Sequence, residues 1–514
     1  MTRCVCQRAA VAKVRPRFRG PDKFGNTPYL VSNRGACVPP VNPEQIQLFN
    51  TLTRSVATFE PLKAGQVGLY SCGPTVYSYA HIGNMRSYIF ADVLRRTLEY
   101  FGYQVNHVMN ITDVGHLTDD ADAGEDKLEL GSRREGIDAW AVARKYTDAF
   151  FAHAAMLGIK HPTVVCKATD HIAEQISMIK ALEERGYTYR TEDGVYFDTN
   201  KFPTYADFGR LDVEGLQSGH RVDSRDKRNK TDFALWKFSK PEDHRCMEWD
   251  APWGRGFPGW HIECSAMSMK FLGSQFDIHT GGVDHIPIHH TNEIAQSEAA
   301  TGKAPFVKFW MHGEFLVIDD AAKMSKSSGQ VLTVQALADA GYYPLAFRLL
   351  ALQCHYRKQL KFSYESLAGA QRGYERLSHL ALRCLADAGG KVPAATLSPT
   401  AAKYRQQFRA ALAQDLNMPQ AVATLYSLLE DAALTAAERV ALVAEMDQVL
   451  GLDVFTPMPA VGAIPPELTQ MLDERNSARA AKNWARADEL RREIDTRGYE
   501  ICDSPQGSYL KKRL

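Results

Sequence analysis

Cys72-Gly73-Pro74-Thr75-Val76-Tyr77-Ser78-Tyr79-Ala80-His81-Ile82-Gly83-Asn84 is the stretch whose reading decides the fold. A short apolar run (Val67, Leu69, Tyr70) precedes it, and a helical pattern begins near Met85. A strand, a tight Gly-Pro turn and a helix N-terminus are how an α/β fold presents backbone N–H groups to a phosphate. Cys72 falls at the strand's C-terminal end, the edge where open α/β sheets place ligands. His81 falls where the helix begins, within reach of the same anion. A buried strand cysteine and a plain helix cap would leave the same trace, so partners elsewhere in the chain decide.

Residues 85–101 carry Tyr88, Phe90, Ala91, Val93, Leu94, Leu98 and Phe101 at helical spacing between strand-like runs at 67–72 and 103–111. That is a βαβ unit and implies a parallel sheet. An acidic stretch (Asp119, Asp120, Asp122, Glu125, Asp126) reads as a solvated loop, with a second metal as the alternative, and a helix follows at 137–157. After a further helix at 171–185 come short strands and polar turns to about Lys240, so 116–240 reads as an insertion into the sheet. The sheet pattern resumes at 259–272 and 276–280, with a helix at 289–301, strand-like runs at 306–312 and 315–318, and a polar loop at 319–330. Beyond Thr333 the chain reads as helical almost to its end, broken by a Pro- and Gly-rich linker at 455–466. In the last piece Ala480, Trp484, Ala487, Leu490 and Ile494 make one apolar stripe, and the tail carries Lys511, Lys512 and Arg513.

At 514 residues the chain is too long for one core, and three or four domains are expected. Its 61 Lys and Arg against 60 Asp and Glu leave a formal charge of +1, so an RNA partner has to be met by local patches. Ten irregularly spaced cysteines do not make a disulfide scaffold and suit a reducing compartment. No apolar stretch approaches the roughly 18 residues of a membrane span, so no membrane partner is expected. The start differs from the rest: Lys or Arg recurs eight times from Arg3 to Arg34, with Asp22 the only acid in that span. A basic arm, a start set too far upstream or an organelle transit peptide would each look this way.

Two further groups carry chemistry. His289 and Glu293, four apart in a helical segment, leave the same face, and Cys264 ends the run Trp260-His261-Ile262-Glu263. Cys, His and carboxylate are zinc ligand types, although a polar helix start and a core thiol would give the same residues. The second group is Lys323-Met324-Ser325-Lys326-Ser327-Ser328-Gly329. Lysines at i and i+3 among small hydroxyl residues form a cationic hook for a polyphosphate, or else an ordinary solvated loop.

Taken in order, CGPTVYSYAHIGN, GWHIEC, GGVDHIPIHHTNE and KMSKS resemble the cysteinyl-tRNA synthetases, a class I aminoacyl-tRNA synthetase family. The resemblance extends to NITDVGHLTDD, DKRNKTDFALWK, the segment at 415–421 and the closing residues 487–507. It implies a Rossmann-like α/β parallel-sheet catalytic domain at 46–315 with the insertion, then a stem-contact region at 316–370 bearing the lysine loop. A helical bundle at 371–455 that binds tRNA, a linker at 456–466 and a small anticodon-recognition domain at 467–514 complete it. Residues 1–45 stay outside as an extension expected to be disordered.

The resemblance also implies roles. Cys72, Cys264, His289 and Glu293 would hold one zinc ion that the substrate thiolate joins. Gly73, Thr112, Trp260 and His279 would surround the cysteine side chain. Gly83, Gly281, Gly282 and Asp284 would meet ATP, its ribose or the amino group, and His81, Asn84, Lys323 and Lys326 would handle the phosphates. Mg²⁺ would enter with ATP, and tRNA(Cys) would be the acceptor. A monomer in the cytoplasm is expected, with organelle import through the Arg-rich start as the alternative. One position departs: the family's His-Ile-Gly-His ends here in Asn84, which can donate through its amide but cannot become a cation. Three rivals remain at this level. They are a cysteine ligase with an amino-sugar acceptor, a non-catalytic RNA-binding relative and a zinc-stabilised structural protein.

Overall fold

The computed structural model describes residues 45–115, 126–211, 227–240, 245–318, 331–394, 396–457, 465–504 and 507–512. Its centre is a five-stranded parallel sheet of β3 (Gln66–Ser71), β4 (Gln104–Ile111), β5 (Val164–Lys167), β10 (Phe276–Gly282) and β11 (Val307–Gly313), in the order β11-β10-β3-β4-β5. The chain runs outward from β3 through β4 to β5, then returns to lay β10 and β11 on the other side of β3. The strand order therefore reverses between β3 and β10, and the carboxyl ends of these two strands form the crevice where such sheets bind ligands.

Between β3 and β4 runs α1 (Ile82–Tyr100), which buries Ile82, Met85, Ile89, Phe90, Val93, Leu94 and Leu98. Phe101 caps its C-terminus, and Gly102, at φ +92°, turns the chain into β4. A short hairpin, β1 (Gln47–Asn50) with β2 (Ser55–Thr58), precedes the sheet. Asn50 ties it to β11, accepting from the Trp310 N–H and donating to the Lys308 carbonyl.

The expected insertion at 116–240 is divided differently in space. It contributes β5 to the central sheet, while a separate antiparallel sheet is formed by β6 (Thr188–Arg190), β7 (Gly194–Phe197), β8 (Phe233–Phe238) and β9 (Gly256–Pro258). That sheet ends well past Lys240, because β9 is a three-residue strand whose Gly and Pro content masks it in sequence. Before β5 lie α2 (Lys127–Glu135), in a stretch read as loop, and α3 (Ala139–Met156). After β5 comes α4 (Ile172–Glu184).

The largest revision is α5 (Trp260–Leu272), a helix where a sheet pattern was expected. Eight consecutive residues from His261 to Ser268 are buried, so no polar face marks the 3.6-residue period. A single π-helical turn, Ile286–His290, then feeds α6 (Thr291–Thr301).

After β12 (Leu316–Ile318) the expected loop at 319–330 lies outside the described residues. Then follow α7 (Val334–Asp339), α8 (Pro344–Leu352) and β13 (Leu360–Phe362), which pairs in parallel with β12 inside a region read as helical. The bundle comprises α9 (Tyr364–Asp387), α10 (Pro399–Ala413), α11 (Met418–Glu430) and α12 (Ala436–Leu450). One apolar core runs from α1 and α3 through α8 into all four. The chain closes with α13 (Pro466–Ala480), α14 (Trp484–Thr496) and an antiparallel pair, β14 (Tyr499–Ser504) with β15 (Gly507–Lys512), also in the stretch read as helical. In α14, Ala487, Leu490 and Ile494 are buried as the stripe requires, but Trp484 is 58% exposed and leaves it. The strongly basic start, most of the acidic stretch at 119–125 and part of the linker lie outside the described residues.

Candidate active site

A cleft of about 340 Å³ opens at the crevice between β3 and β10. Cys72 is the first residue past β3, its N–H donating to the Thr280 carbonyl at 3.2 Å. Gly73 follows against β4, its N–H donating to Asn110 Oδ1 at 2.8 Å. A Cβ on residue 73 would sit 1.6 Å from the Asn110 carbonyl oxygen, so only glycine lets the turn approach the sheet this closely. The Asn110 amide in turn donates to Thr112 Oγ1 at 3.0 Å, holding Thr112 on the cleft wall.

At the other end of the turn, His81 is the N-cap of α1 within a capping box. Its Nδ1 accepts from the Asn84 backbone N–H at 3.1 Å, and Asn84 Oδ1 accepts from the His81 backbone N–H at 3.1 Å. An accepting Nδ1 carries no proton, so a neutral His81 presents Nε2–H as a donor. Asn84 thus uses its side-chain oxygen within the protein, and its amide NH₂ is the group left to face a ligand. Gly83 is forced by the same arrangement, since a Cβ there would lie 2.9 Å from both Nδ1 and Cε1 of His81.

Cys72, Cys264, His289 and Glu293 each place one ligand atom within 4.8 Å of the others, all of them buried. They come from the end of β3, from α5, from the π-helical turn and from α6, so the cluster exists only in the folded chain. Its donor set is sulfur, sulfur, nitrogen and oxygen, which suits zinc. A hydrogen bond from Cys72 holds the Cys264 thiol down at about 7, whereas burial pushes Cys72 well up. Burial alone would lower His289, but Cys264 and Glu293 outweigh it and lift it to about 10. Glu293 is held at about 2, its burial overcome by His279 and His289. Protons on Cys72 and His289 therefore stand where a dication would stand, and metal binding would release them. Glu293 Oε1 lies 3.1 Å from His289 Nε2 yet makes no aligned hydrogen bond, the orphaned buried acceptor that a cation would satisfy.

A second set, Cys72, His279, His290 and Glu293, meets the same 4.8 Å limit. It has one sulfur rather than two, so the first set is the better zinc site. Surrounding imidazoles brace that set. His261 Nδ1 lies 2.9 Å from His289 Nδ1, and His279 Nε2 lies 3.2 Å from Glu293 Oε2. His290 Nε2 is 3.4 Å from Cys72 Sγ, and His312 continues that chain to Thr51 Oγ1 at 2.8 Å.

Two family descriptions match the chain, "tRNA synthetases class I (C) catalytic domain" over residues 58–372 and "Cysteinyl-tRNA ligase anticodon binding domain" over residues 462–509. Cysteine–tRNA ligase 1 of Burkholderia lata is 51% identical over 465 residues, spanning 90% of this chain and 96% of that protein. The chain belongs to the cysteinyl-tRNA ligase family of class I aminoacyl-tRNA synthetases. Cysteine–tRNA ligase of Treponema denticola is 42% identical, over 91% of this chain and 99% of its own. The same fold occurs in a Mycobacterium tuberculosis methionyl-tRNA synthetase in complex with methionyl-adenylate (TM-score 0.50, 15% identity, 75% of this chain and 90% of that one). It also occurs in LeuRS of Agrobacterium radiobacter K84 in a ternary complex (TM-score 0.53, 11% identity, 77% and 84%).

Of the residues singled out from the sequence of this cysteinyl-tRNA ligase family member, Cys72, Gly73, His81, Asn84, Thr112, Trp260, Cys264, Gly281, Gly282, Asp284 and His289 line the one cleft. Glu293 and His279 sit behind it, fully buried. Lys323 and Lys326 lie outside the described residues. The sequence reading missed Tyr77, Tyr79, Lys127, Tyr146 and His285 on the cleft wall. Tyr77 and Tyr79 belong to the quoted turn and could have been marked there; Lys127 follows an acidic run that reads as solvated.

Proposed function

We propose that this protein activates L-cysteine with ATP and transfers it to the 3′ end of tRNA(Cys), with one zinc ion selecting the thiol. The observation that carries this reading is the meeting of two features on one cleft: the Cys72/Cys264/His289/Glu293 cluster and the α1 N-terminus with its capped His81. In the first step a carboxylate oxygen of cysteine attacks the α-phosphorus of ATP in line. The bond to the bridging oxygen breaks, giving cysteinyl-adenylate and pyrophosphate. In the second, a ribose hydroxyl of tRNA attacks the acyl carbon and AMP departs.

Positioning and charge stabilisation suffice for both steps, and no protein nucleophile is needed. His81 donates from Nε2 to phosphate oxygens, and the first N–H groups of α1 add positive potential. Lys323 and Lys326 hold pyrophosphate as it leaves, and Mg²⁺ enters with ATP. Thr112 and Trp260 close around the cysteine side chain, His279 steadies Glu293 from behind the cleft instead of touching the substrate as the resemblance implied, and Gly281, Gly282 and Asp284 meet the ribose or the amino group. When bound, zinc supplies a soft Lewis acid that favours a thiolate over the serine hydroxyl, so the isostere is rejected without editing. The bundle and the C-terminal domain bind tRNA, the latter at the anticodon. The protein works as a cytoplasmic monomer. The match of 462–509 to an anticodon-binding description favours tRNA over an amino-sugar acceptor.

Amino-acid-dependent ATP–pyrophosphate exchange tests this. Cysteine should support exchange, serine should be at least about 10⁴-fold poorer, and a zinc chelator should abolish the cysteine signal. Comparable exchange with serine, or exchange indifferent to metal removal, would refute the sorting role.

A further inference from the structure

Lys127 stands at the first position of α2 and on the wall of the cleft, half-buried. Its Nζ lies 5.6 Å from the centroid of the Tyr77 ring and 6.0 Å from that of Trp260. It belongs neither to the α1 turn nor to the lysine motif, and among the described residues it makes no ion pair. The backbone beneath it is fixed. Asp126 caps α2 by accepting from the Leu128 and Glu129 N–H groups at 2.7 and 3.1 Å. Its other oxygen pairs with buried Arg245 at 2.7 Å, and the Arg245 guanidinium lies 3.5 Å above the Phe257 ring.

The position of this cation selects its ligand. The ring of Trp260, which Lys127 overlies, has its centroid 4.6 Å from that of His289, so the ammonium stands on the side of the cleft that holds the four-residue cluster. A cysteine whose thiol meets the four-residue cluster carries its carboxylate on the carbon next to Cβ, close to that wall. Two aromatic faces attract an ammonium without neutralising it. An anion entering beside it gains a charge-assisted hydrogen bond.

We infer that Lys127 receives the α-carboxylate of the substrate cysteine and selects for amino acids in which that group is free. The inference rests on the cysteine-activating reading above. The nearest alternative, that Lys127 only packs against Tyr77 and Trp260, makes a different prediction, because packing is blind to the carboxylate.

The test is equilibrium binding, without ATP, of L-cysteine and of cysteinol, which keeps the thiol and amine and replaces the carboxylate by CH₂OH. With zinc-loaded full-length protein, Lys127→Met should weaken L-cysteine about 10- to 100-fold, the range for a hydrogen bond to a charged group. Cysteinol affinity should stay within about twofold of wild type, and Lys127→Arg should recover part of the cysteine loss. Should Lys127→Met disturb α2, Lys127→Gln makes the same comparison. Equal losses for both ligands, or none for cysteine, would overturn the assignment. A wild type that binds neither would instead overturn the cysteine reading of the cleft, and this inference with it.

Discussion

Asp92, in the middle of α1, is the place where one charge holds three parts of the molecule. It is 2% exposed, and Arg348, its partner from α8, is 0% exposed. Asp92 Oδ2 accepts from Arg348 Nη2 at 2.6 Å and from Arg96 Nε at 2.7 Å, while Oδ1 accepts from the Lys160 N–H at 2.9 Å. Arg348 also donates to the carbonyls of Leu450 and Leu157, and Arg96 to those of Gln448 and Gly158. Asp92→Asn keeps the volume and one acceptor but leaves a buried guanidinium without its counter-charge. Breaking a buried pair from one side costs about 3–5 kcal/mol. Arg96 reaches solvent and Asp447 offers Arg348 a second, weaker field, so a loss near the low end, about 3 kcal/mol, is expected.

Thermal unfolding followed by tryptophan fluorescence should show that loss as a fall of several degrees in Tm, at about 2–4 °C per kcal/mol for a sizeable domain. The pH dependence supplies a second check. Burial raises the Asp92 carboxyl, but Arg348, Arg96 and the Lys160 N–H outweigh it and leave it below the usual carboxylate range. A depressed carboxyl stabilises the fold above its unfolded value of about 3.9 and ceases to as pH falls through the lower folded value. The gap between wild type and Asp92→Asn should therefore be constant from pH 8 to 5 and close only below about pH 4. A variant within about 1 kcal/mol of wild type at pH 7, where the buried-pair argument requires about 3, would refute the reasoning.

Two predictions concern the α1 N-terminus. Gly83→Ala drives a Cβ into the His81 ring, so cysteine-dependent pyrophosphate exchange should fall about 10- to 100-fold, while the better helix former offsets much of the disturbed cap and Tm moves by only a few degrees. Unchanged exchange would show that the His81 ring position is unimportant. Asn84→Asp keeps the oxygen that caps His81 and adds a helix-favourable charge, so stability should hold or gain a few tenths of a kcal/mol. Its carboxylate would face the triphosphate in place of an amide, and exchange should drop about tenfold; full activity would remove Asn84 from the phosphate site.

What could be read in the sequence was whatever depends on neighbours along the chain. The turn from Cys72 to Asn84 declares strand, turn and helix because each signal is local, and the spacing of His289 and Glu293 puts both on one face. The helix α5 resists reading because burial on every side erases the contrast between faces. The imidazole chain from Cys72 through His290 to His312 and Thr51 joins residues on β11, on the π-helical turn and beyond β1, and no spacing announces it. Lys127 was hidden for another reason. An acidic run before a lysine looks like solvent-facing loop until the fold lays Tyr77 and Trp260 beside it.

The polar residues of α1 follow an order that its apolar face conceals. At the N-terminus, His81 and Asn84 face the cleft. One turn on, buried Arg86 donates to the carbonyls of Glu314, Phe315, His355 and Lys358, the residues just ahead of β12 and β13. β12 runs directly into the stretch bearing Lys323 and Lys326. Two turns further, Asp92 and Arg96 hold the end of α3 and the C-terminus of α12. All are fixed to one stiff helix, so none can be adjusted alone. Turning α1 by one residue, about 100°, would take His81 from the cleft, Arg86 from its four carbonyls and Asp92 from Arg348 together. The cleft end of α1, the approach to β12 and β13 and the seat of the helical bundle are thereby set by the register of a single element. That is why this helix tolerates two buried arginine contacts and a buried aspartate, where packing alone would favour leucine.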